Sequence, residues 1–566
     1  MHRSPMHATP IANAAALVAL CTVAFTAQAQ GEIDLAPADD CVSCAPSRTR
    51  AAPPPTTPQS LPATPLAPVA FRLNGIRLSG AQALPAGELN ALTAPYVGRN
   101  VTLPELETLA QQIGEKYRAR GYFLAQAVVP VQTVQGGIVE ISVIEGRLGR
   151  LTVNVAPEAP ITEARVRAFL ASLQPGQALS GPAYERAMLL LSDQPGIAVK
   201  SSLEEGAQPG ATDLTVDVAA APKWAFSLDA DNHGTKETGR YRAGGNARWM
   251  SPFGIGDNLD ARLMASNNGE LAFGRVSYEA PIGASGLRAG MGLSHINYEL
   301  GGEFANLDVH GTADIVDASL SYPLIRSRQQ NLSVRLGADL KNLRDNYRAV
   351  DYASRKRVNG VGLGWVWERR DTLLGGGYTA SSGVWYHGRL DIRDALNSQA
   401  DQSSSGNHTQ GSFDKLSFQV SRLQRVVQNH ALHLSIGGQL AGKNLDASEK
   451  ISLGGAQAVR AYPLGEVLAD QGLTGSIEWR WSVNPQWTIY PFYDAARGWR
   501  SKNSPLADPD NLHSLRGVGI GVQWARPNDF SINATLAWRD GTPPAVTDGG
   551  NHHSPGLYLQ FQKVFR

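Results

Sequence analysis

Two segments toward the C-terminal end of the chain carry the residue types best suited to specific chemistry. In residues 454–466, a glycine-flanked loop presents Arg460 beside Tyr462. In residues 490–499, Asp494 follows Phe492 at two-residue spacing. A guanidinium and a carboxylate can form a charge-assisted pair, which would pin a loop but would catalyse nothing by itself. Taken alone, the pattern leaves open that Arg460 lies on an exposed turn and that Asp494 faces water.

The sequence offers little support for catalytic or metal chemistry. It contains no Gly-x-Ser-x-Gly elbow, no His-Glu-x-x-His run and no Gly-x-x-x-x-Gly-Lys-Ser/Thr loop. Cys41 and Cys44 stand at Cys-x-x-Cys spacing without a second pair, which favours a local disulfide or two incidental thiols over a redox or metal site. His552 and His553 lie between Gly and Pro residues, as solvent-exposed loops do. We therefore predict that the protein is not an enzyme and binds no metal and no cofactor.

Composition indicates a large folded protein without a polynucleotide partner. The chain has 566 residues, of which 18% are charged, and its formal net charge is +1. This charge leaves no basic surplus that would concentrate nucleic acid around the chain. We expect several domains from this length.

The element that must position Arg460 and Asp494 is a long series of strands in residues 222–566. Short alternating runs such as 332–340, 518–524 and 530–538 place apolar residues on one face and polar residues on the other. A soluble sandwich could show the same period. The number of strands and the recurring Trp and Tyr near strand ends favour a transmembrane barrel of about 16 strands. Asp494 would then face the lumen with Phe492, because a carboxylate against lipid is costly.

The N-terminal segments predict export. An apolar run at 11–25 followed by Ala-Gln-Ala is typical of a cleavable signal peptide, which we place at residues 1–29. Residues 30–70 are rich in Pro and form an extended tether. After the signal, no stretch approaches the 18 continuous apolar residues that a spanning helix needs.

Residues 71–221 repeat the same order of elements twice. The first copy, 71–147, combines a strand at 71–79, helices at 85–92 and 103–120, and strands at 124–129 and 138–144. The second copy, 148–221, combines a strand at 150–155, helices at 162–173 and 182–192, and strands at 198–203 and 213–218. Each copy is a small α+β domain of the β-α-α-β-β type with an open sheet edge, which can bind an extended chain by strand addition.

The whole arrangement resembles the TpsB transporters of two-partner secretion, the hemolysin secretion/activation family, whose periplasmic units are POTRA domains. The motif residues that match the two units are Gly121, Tyr122, Gly146, Arg147, Pro195 and Gly196. The loop residues Val459, Arg460, Ala461 and Tyr462 resemble the family's Val-Arg-Gly-Tyr tip, and Phe492 with Asp494 resembles its partner strand. The fold expected is a signal peptide, two β-α-α-β-β POTRA domains and an antiparallel membrane barrel of about 16 strands.

The resemblance implies a function in protein export. The POTRA domains would capture an unfolded TpsA-type exoprotein, such as a hemolysin or an adhesin, and the barrel would secrete it across the bacterial outer membrane. It also implies contact with outer-membrane lipid and with the barrel-assembly machinery, POTRA domains in the periplasm, and an Arg460–Asp494 contact in the lumen. The alternatives are a barrel-assembly insertase and, less favoured, a porin or uptake channel.

Three further expectations concern particular positions. Ala461 replaces the usual Gly, so a tip that needs a positive φ would be strained or would use a different turn. The chain ends Phe565-Arg566, whereas these barrels usually finish on an aromatic residue. The polar insert 397–412 predicts a mobile extracellular loop.

Overall fold

The computed structural model describes residues 69–504, 510–540 and 555–565. The predicted signal peptide, almost all of the predicted tether, the two cysteines of the Cys-x-x-Cys pair, His552, His553 and Arg566 lie outside these residues. The chain divides into two compact units between Ala221 and Pro222. In the described ranges, no helix has the length and apolar character needed to cross a membrane.

The N-terminal unit contains both predicted copies. The first copy consists of β1 (Phe71–Arg72), β2 (Gly75–Ser79), α1 (Ala86–Thr93), a 3-10 turn (Ala94–Tyr96), β3 (Asn100–Val101), α2 (Leu103–Ala119), β4 (Gln126–Val128) and β5 (Ile138–Ile144). The main sheet has the order β2-β5-β4, with β2 parallel and β4 antiparallel to β5. β1 and β3 form a separate ribbon.

Helix α2 shows how the sequence pattern produces the packing. The Thr102 N–H donates to Glu105 Oε2 at 2.7 Å, as part of a capping box that closes the start of the helix. The residues at helical spacing pack against the sheet and are buried: Leu106, Leu109, Ala110, Ile113 and Tyr117. Leu103 occupies the first turn and is exposed.

The second copy repeats the arrangement with longer strands. Its elements are β6 (Arg147–Val155), α3 (Glu163–Phe169), α4 (Gly181–Ser192), β7 (Ile197–Glu205) and β8 (Ala211–Ala220), and the sheet order is β6-β8-β7. Helix α3 ends earlier than the predicted residue 173. Leu170 and Leu173 continue the apolar spacing, but they are buried from a turn in which the Leu173 N–H donates to the Leu170 carbonyl at 2.8 Å.

The C-terminal unit is a closed antiparallel barrel of 16 strands, which confirms the predicted class and strand number. From β9 to β19 the strands are Trp224–Asp231, Arg242–Met250, Asn258–Ser266, Leu271–Pro281, Arg288–Leu300, Val309–Arg326, Gln330–Tyr347, Tyr352–Asp371, Gly377–Ile392, Gly411–Val427 and His430–Ala441. A small hairpin, β20 (Ile451–Ser452) and β21 (Leu468–Ala469), precedes β22 (Gln471–Ser482), β23 (Trp487–Trp499), β24 (Leu512–Arg526), β25 (Phe530–Arg539) and β26 (Gly556–Phe565). β26 closes the barrel by pairing with β9, as in Phe561 opposite Ala230.

Side chains alternate across the barrel wall as a membrane strand requires. On β13, Met291 and Leu293 point outward and are exposed. Ser294 and Ile296, which have the opposite parity on the strand, are buried inside. The interior is less uniformly polar than the alternation predicted. An apolar cluster that includes Ile296 and Tyr298 packs inside the wall against Leu445, which belongs to the loop after β19.

The predicted mobile loop at 397–412 is wrong in part, because it contains ordered structure. Helix α5 (Ala395–Asp401) begins before it and extends into it. The Asp401 carboxylate accepts hydrogen bonds from the backbone N–H groups of Thr409 and Gln410, both at 3.0 Å. These bonds fold the insert back onto the end of its own helix. Short 3-10 turns occupy other connections: Gly302–Leu307, Arg348–Val350, Leu373–Gly375 and Ala447–Glu449.

Candidate functional site

The segment 442–470, here called the anchor loop, connects β19 to β22 and folds into the barrel instead of away from it. Its base is the β20–β21 hairpin, in which Ile451 pairs with Ala469. At its tip, Val459, Ala461 and Tyr462 around Arg460 are buried. The tip packs against side chains of the barrel wall, in one cluster of Leu453, Val459, Ala461, Tyr462, Val467, Ala469, Tyr490, Phe492, Ala496, Leu515 and Ala537.

The Arg460 side chain is held by two carboxylates of the wall. Its Nε donates to Asp494 Oδ2 at 2.8 Å and its Nη2 to Asp494 Oδ1 at 2.7 Å, which makes the pair bidentate. Nη1 donates to Glu478 Oε1 at 2.8 Å, and Nη2 also reaches Ser476 Oγ at 2.9 Å. The guanidinium carbon lies 3.5 Å from the centre of the Phe492 ring, a cation–π contact.

The backbone strengthens this anchor. The Arg460 N–H donates to Asp494 Oδ2 at 3.1 Å, so the same carboxylate holds both the side chain and the main chain of the tip. Asp494 is fully buried and shares its face of β23 with Phe492, while Tyr493 points outward. Such a desolvated and fully hydrogen-bonded ion pair is costly to break from one side.

Glu478 belongs to the anchor although the sequence analysis did not select it. It lies on β22 between the outward Ile477 and Trp479, so its position on the polar face was visible in the alternation. Its second oxygen, Oε2, lies 3.4 Å from His433 Nδ1 and 3.6 Å from Arg480 Nη1. Glu478 therefore links the loop tip to two further groups of the wall.

Ala461 does not strain the tip, contrary to the concern raised by its replacement of Gly. Its backbone is not among the residues with positive φ, so an L-residue fits there. Room for its methyl comes from Gly517 on β24, since a Cβ added to Gly517 would lie 2.5 Å from the Ala461 Cβ. Arg539 Nε donates to the Ala461 carbonyl at 3.2 Å, and Tyr558 Oη donates to the Tyr462 carbonyl at 2.8 Å.

A second ionic contact, here called the lysine cluster, holds the base of the anchor loop on another part of the wall. Glu449 Oε1 accepts from Lys341 Nζ, and Glu449 Oε2 forms an ion pair with Lys415 Nζ, each at 2.8 Å; Glu449 and Lys341 are almost fully buried. Asp446 accepts from Lys356 Nζ at 2.6 Å. The lysines come from β15, β16 and β18. The sequence analysis missed this cluster, because the pairing depends on which strands face the loop after closure.

The two ionic contacts place the anchor loop across the lumen. Its tip touches β22 through β26, and its base touches β15, β16 and β18. In the closed strand order, the strands bound by the base and those bound by the tip form two separate arcs of the wall, with β19 between β18 and β22. A polypeptide that passes along the barrel axis must therefore pass the loop or displace it.

The matched glycines of the N-terminal unit link its two copies. Gly121 follows α2 with φ of 94°, and its carbonyl accepts from the Gly181 N–H at 2.8 Å. A Cβ on Gly121 would lie 2.8 Å from Pro182 Cδ, so a larger residue would push the copies apart. The Tyr122 ring packs edge-on against Tyr117 at 5.9 Å.

Gly146 and Arg147 lie at the junction between β5 and β6. Gly146 has φ of 69°, and its carbonyl accepts from the Leu179 N–H at 3.0 Å. Arg147 Nη2 donates to Gln82 Oε1 at 2.7 Å in the first copy, and its Nη1 donates to the Gly176 carbonyl at 3.0 Å in the second. A two-residue connection and these bonds hold the copies together.

Glu145, which precedes this pair, is a buried acceptor that the sequence analysis did not select. Its Oε1 accepts from the N–H groups of Gln82 and Ala83, both at 2.5 Å, and from Tyr117 Oη at 3.0 Å. Burial and this hydrogen bond raise the pKa of Tyr117 well above its ordinary value. Pro195 and Gly196 form the turn before β7, where Gly196 has φ of 80° and accepts from the Ala221 N–H at 2.9 Å.

One group of side chains in the described ranges could offer ligands to a metal ion: Glu299, Asp308 and His310. His310 Nε2 lies 2.7 Å from Asp308 Oδ1, and His310 Nδ1 lies 3.5 Å from Glu299 Oε2. Both ring nitrogens already face a carboxylate, and Glu299 is exposed. The contacts of His310 with the two carboxylates therefore explain why the three side chains lie together, without a metal ion.

Comparison with known proteins places this architecture in a family. A model of the haemolysin secretion/activation protein ShlB/FhaC/HecB matches residues 210–524, more than half of the chain. The chain belongs to the ShlB/FhaC/HecB family. A model of the ShlB-type POTRA domain matches residues 71–146, so the first copy is a POTRA domain. The predicted TpsB resemblance is confirmed.

Individual relatives of this TpsB transporter agree with the family. The heme/hemopexin transporter protein HuxB of Haemophilus influenzae is 28% identical over 459 residues, which cover 80% of each chain. The outer membrane transporter CdiB of Dickeya dadantii is 23% identical and covers 83% of this chain and 82% of its own. The structure of CdiB from Escherichia coli has the same fold, with a TM-score of 0.73 at 19% identity over 99% of this chain and 100% of that chain.

The comparisons confirm the secretion function and the location predicted from sequence. This TpsB transporter is an outer-membrane protein with periplasmic POTRA architecture, and it transports a partner exoprotein. The family is one of translocators and not of enzymes. The insertase and porin alternatives are not supported.

Proposed function

We propose that this chain exports one unfolded TpsA-type exoprotein through its barrel, with the anchor loop defining the path in the lumen. The observation that carries the proposal is the loop itself, which folds into a closed 16-strand barrel and is bound to two separate parts of its wall by buried ion pairs. Relatives named as heme/hemopexin transporter proteins make a heme- or hemopexin-binding exoprotein the first cargo to test.

The proposed organisation follows the two units. Residues 1–29 would be the signal peptide and 30–70 the periplasmic tether. Residues 71–147 and 148–221 would be the two POTRA domains, and 222–566 the barrel. The repeated β-α-α-β-β order supports the second POTRA domain.

Capture of the partner would use free sheet edges of the POTRA domains. β4 pairs only with β5, so one edge of this strand has unpaired backbone groups. Phe123, Val128 and Val131 near this edge are exposed and apolar. An extended segment of the partner could add a strand there, since main-chain hydrogen bonds require little particular sequence.

Val459, Arg460, Ala461 and Tyr462 with Phe492 and Asp494 would act as the lumen anchor during export. Their role is mechanical, and no nucleotide, metal or cofactor takes part in it. Outer-membrane lipid and the barrel-assembly machinery would be the remaining partners. The outward Phe561 and Phe565 of β26 support recognition of the last strand during assembly, although Phe565 is penultimate.

Co-expression tests the function directly. A candidate partner with a hemagglutinin-like N-terminal secretion region should appear in the medium only when this chain is present. Retention of the partner in the periplasm, with the barrel correctly inserted, would show that the pairing is wrong.

Deleting residues 71–221 separates capture from conduction: secretion should stop while the barrel still conducts ions. Continued secretion by that deletion would contradict the capture role.

A further inference from the structure

Two arginines of the barrel point toward lipid and not toward the lumen. On β23 the inward side chains are those of Phe492, Asp494 and Ala496, so Arg497 has the outward parity. On β24 Leu515 points inward and Arg516 outward. Both arginines are exposed, and within the described residues neither guanidinium forms an ion pair. An arginine on the lipid face is costly near the membrane centre and needs an anionic or aqueous partner.

The two arginines are close enough to bind one anion together. In the β23–β24 register, Ala495 pairs with Arg516 and Arg497 pairs with Ser514. The arginines are therefore diagonal neighbours on the same face, about 7–8 Å apart at their backbones. Their long side chains can converge on a single phosphate, for which the planar guanidinium is well suited.

An apolar pocket adjoins the pair. A cavity of about 570 Å³ is lined by Ile436, Leu473, Thr474, Ala495, Arg497 and Arg516, among others. Ile436 and Leu473 point outward from β19 and β22 and are exposed. A groove with two cations at one side and branched aliphatic side chains at the other suits a ligand with a phosphate and a hydrocarbon chain.

The pair also lies at the correct height for a lipid headgroup. Trp487 and Trp524 stack at 5.3 Å at the other end of the same two strands and mark one membrane interface. Ten residues of strand lead from Trp487 to Arg497, and eight lead from Trp524 to Arg516. At about 3.3 Å per residue and a tilt of about 40°, both arginines lie roughly 20–25 Å above the Trp pair, where an apolar band of about 25 Å ends.

This border belongs to the outer leaflet. The connections at the arginine end include the longest ones, 442–470 and 393–410, whereas short turns such as 483–486 and 527–529 join the strands at the Trp end. In barrels of this kind the short turns are periplasmic and the long loops extracellular.

We propose that Arg497 and Arg516 form a binding site for the phosphate of an outer-leaflet lipid, whose acyl chain packs on Ile436 and Leu473. The phosphate completes charge-assisted hydrogen bonds that the described residues do not supply to these guanidiniums. The site lies on the outside of the strand that carries Asp494 on its inside, so a bound lipid braces the wall at the anchor.

Native mass spectrometry of the full-length protein in nonionic detergent tests the site. The probes are diphosphorylated lipid A and the same lipid A after removal of its phosphates. We expect the wild type to retain one phosphorylated lipid with a preference of about tenfold over the dephosphorylated form, and the Arg497→Ala/Arg516→Ala variant to lose that preference. The Arg497→Lys/Arg516→Lys variant, which keeps the charge, should retain part of it and serves if the alanine pair fails to fold.

The control variant Arg369→Ala/Arg389→Ala removes two exposed arginines elsewhere on the barrel and should bind like the wild type. Equal retention of both lipids by the wild type, or unchanged preference in the alanine pair, would overturn the proposal. Loss of bound lipid on adding millimolar inorganic phosphate would show a general anion site and would overturn the lipid assignment. Retention of the lipid under that condition supports it.

Discussion

At the scale of single residues, Arg460 carries the connection between the anchor loop and the wall. Its three guanidinium nitrogens donate to Asp494, Glu478 and Ser476, and the same Asp494 carboxylate also accepts from its backbone N–H. The cation is desolvated, so each of these partners is needed to offset the cost of burying it.

Replacing Asp494 by alanine should release the loop tip and stop export. Removing one partner of a buried ion pair costs about 3–5 kcal/mol, whereas the wall itself is held by backbone hydrogen bonds of 16 strands. We expect secretion at background level with unchanged heat-modifiable migration in SDS gels. The control Asp391→Ala removes a carboxylate from the exposed pair with Arg393 and should secrete normally. Normal secretion by Asp494→Ala would contradict the role of the anchor.

A second residue-scale prediction concerns the fit between Ala461 and Gly517. A methyl group at Gly517 would meet the Ala461 Cβ at 2.5 Å, so Gly517→Ala should displace the tip and reduce export. The double variant Gly517→Ala/Ala461→Gly should recover it, because one methyl replaces the other across the same contact. Gly475→Ala, whose added Cβ has no neighbour closer than 3.8 Å, is the matched control. The measurement is the amount of partner protein secreted into the medium by each variant. If the double variant secretes no more than Gly517→Ala, the steric explanation is wrong.

At the scale of elements, the anchor loop is attached to the barrel wall at two places, its tip and its base. The tip binds β22 and β23 through Arg460, and the base binds β15 and β18 through Glu449. Two attachments on separate arcs of the wall hold the loop in the lumen more firmly than either alone, because release then requires both ion-pair groups to open.

The Lys341→Met/Lys415→Met variant should free the base of the loop. It leaves Glu449 buried without a cation, which favours expulsion of the base into water. We expect larger and longer channel openings in planar bilayers and faster proteolysis within 442–470. Adding Glu449→Gln should restore part of the closed behaviour, since no stranded charge remains. The control variant Arg248→Met/Arg393→Met removes two cations from exposed ion pairs and should conduct like the wild type. Wild-type conductance in the Lys341→Met/Lys415→Met variant would contradict a role of the lysine cluster in closure.

Sequence patterns predicted these elements where one local period decides the structure. Seven strictly alternating residues produced β5 with the same bounds as expected, Ile138–Ile144. The helix expected to end at residue 173 was too long, because Leu170 and Leu173 are buried by a turn that keeps the apolar spacing. The lysine cluster could not be predicted, since Lys341 and Glu449 are 108 residues apart and meet only after the barrel closes.

At the scale of the whole molecule, the barrel is a lipid-facing cylinder whose interior is the proposed route of an unfolded partner. Ser319 and Leu320 are neighbours on β14 that point in opposite directions, Ser319 inward and buried, Leu320 outward and exposed. They can distinguish a path through the lumen from a path along the outside of the barrel.

The most direct measurement is photo-cross-linking to a partner stalled during export. A photoreactive phenylalanine derivative is placed at Ser319 in one variant and at Leu320 in another, and the partner is stalled by a folded domain at its C-terminal end. We predict that the Ser319 variant cross-links to the stalled partner and that the Leu320 variant does not. Cross-links from Leu320 with none from Ser319, while the partner is still secreted, would contradict transport through the barrel.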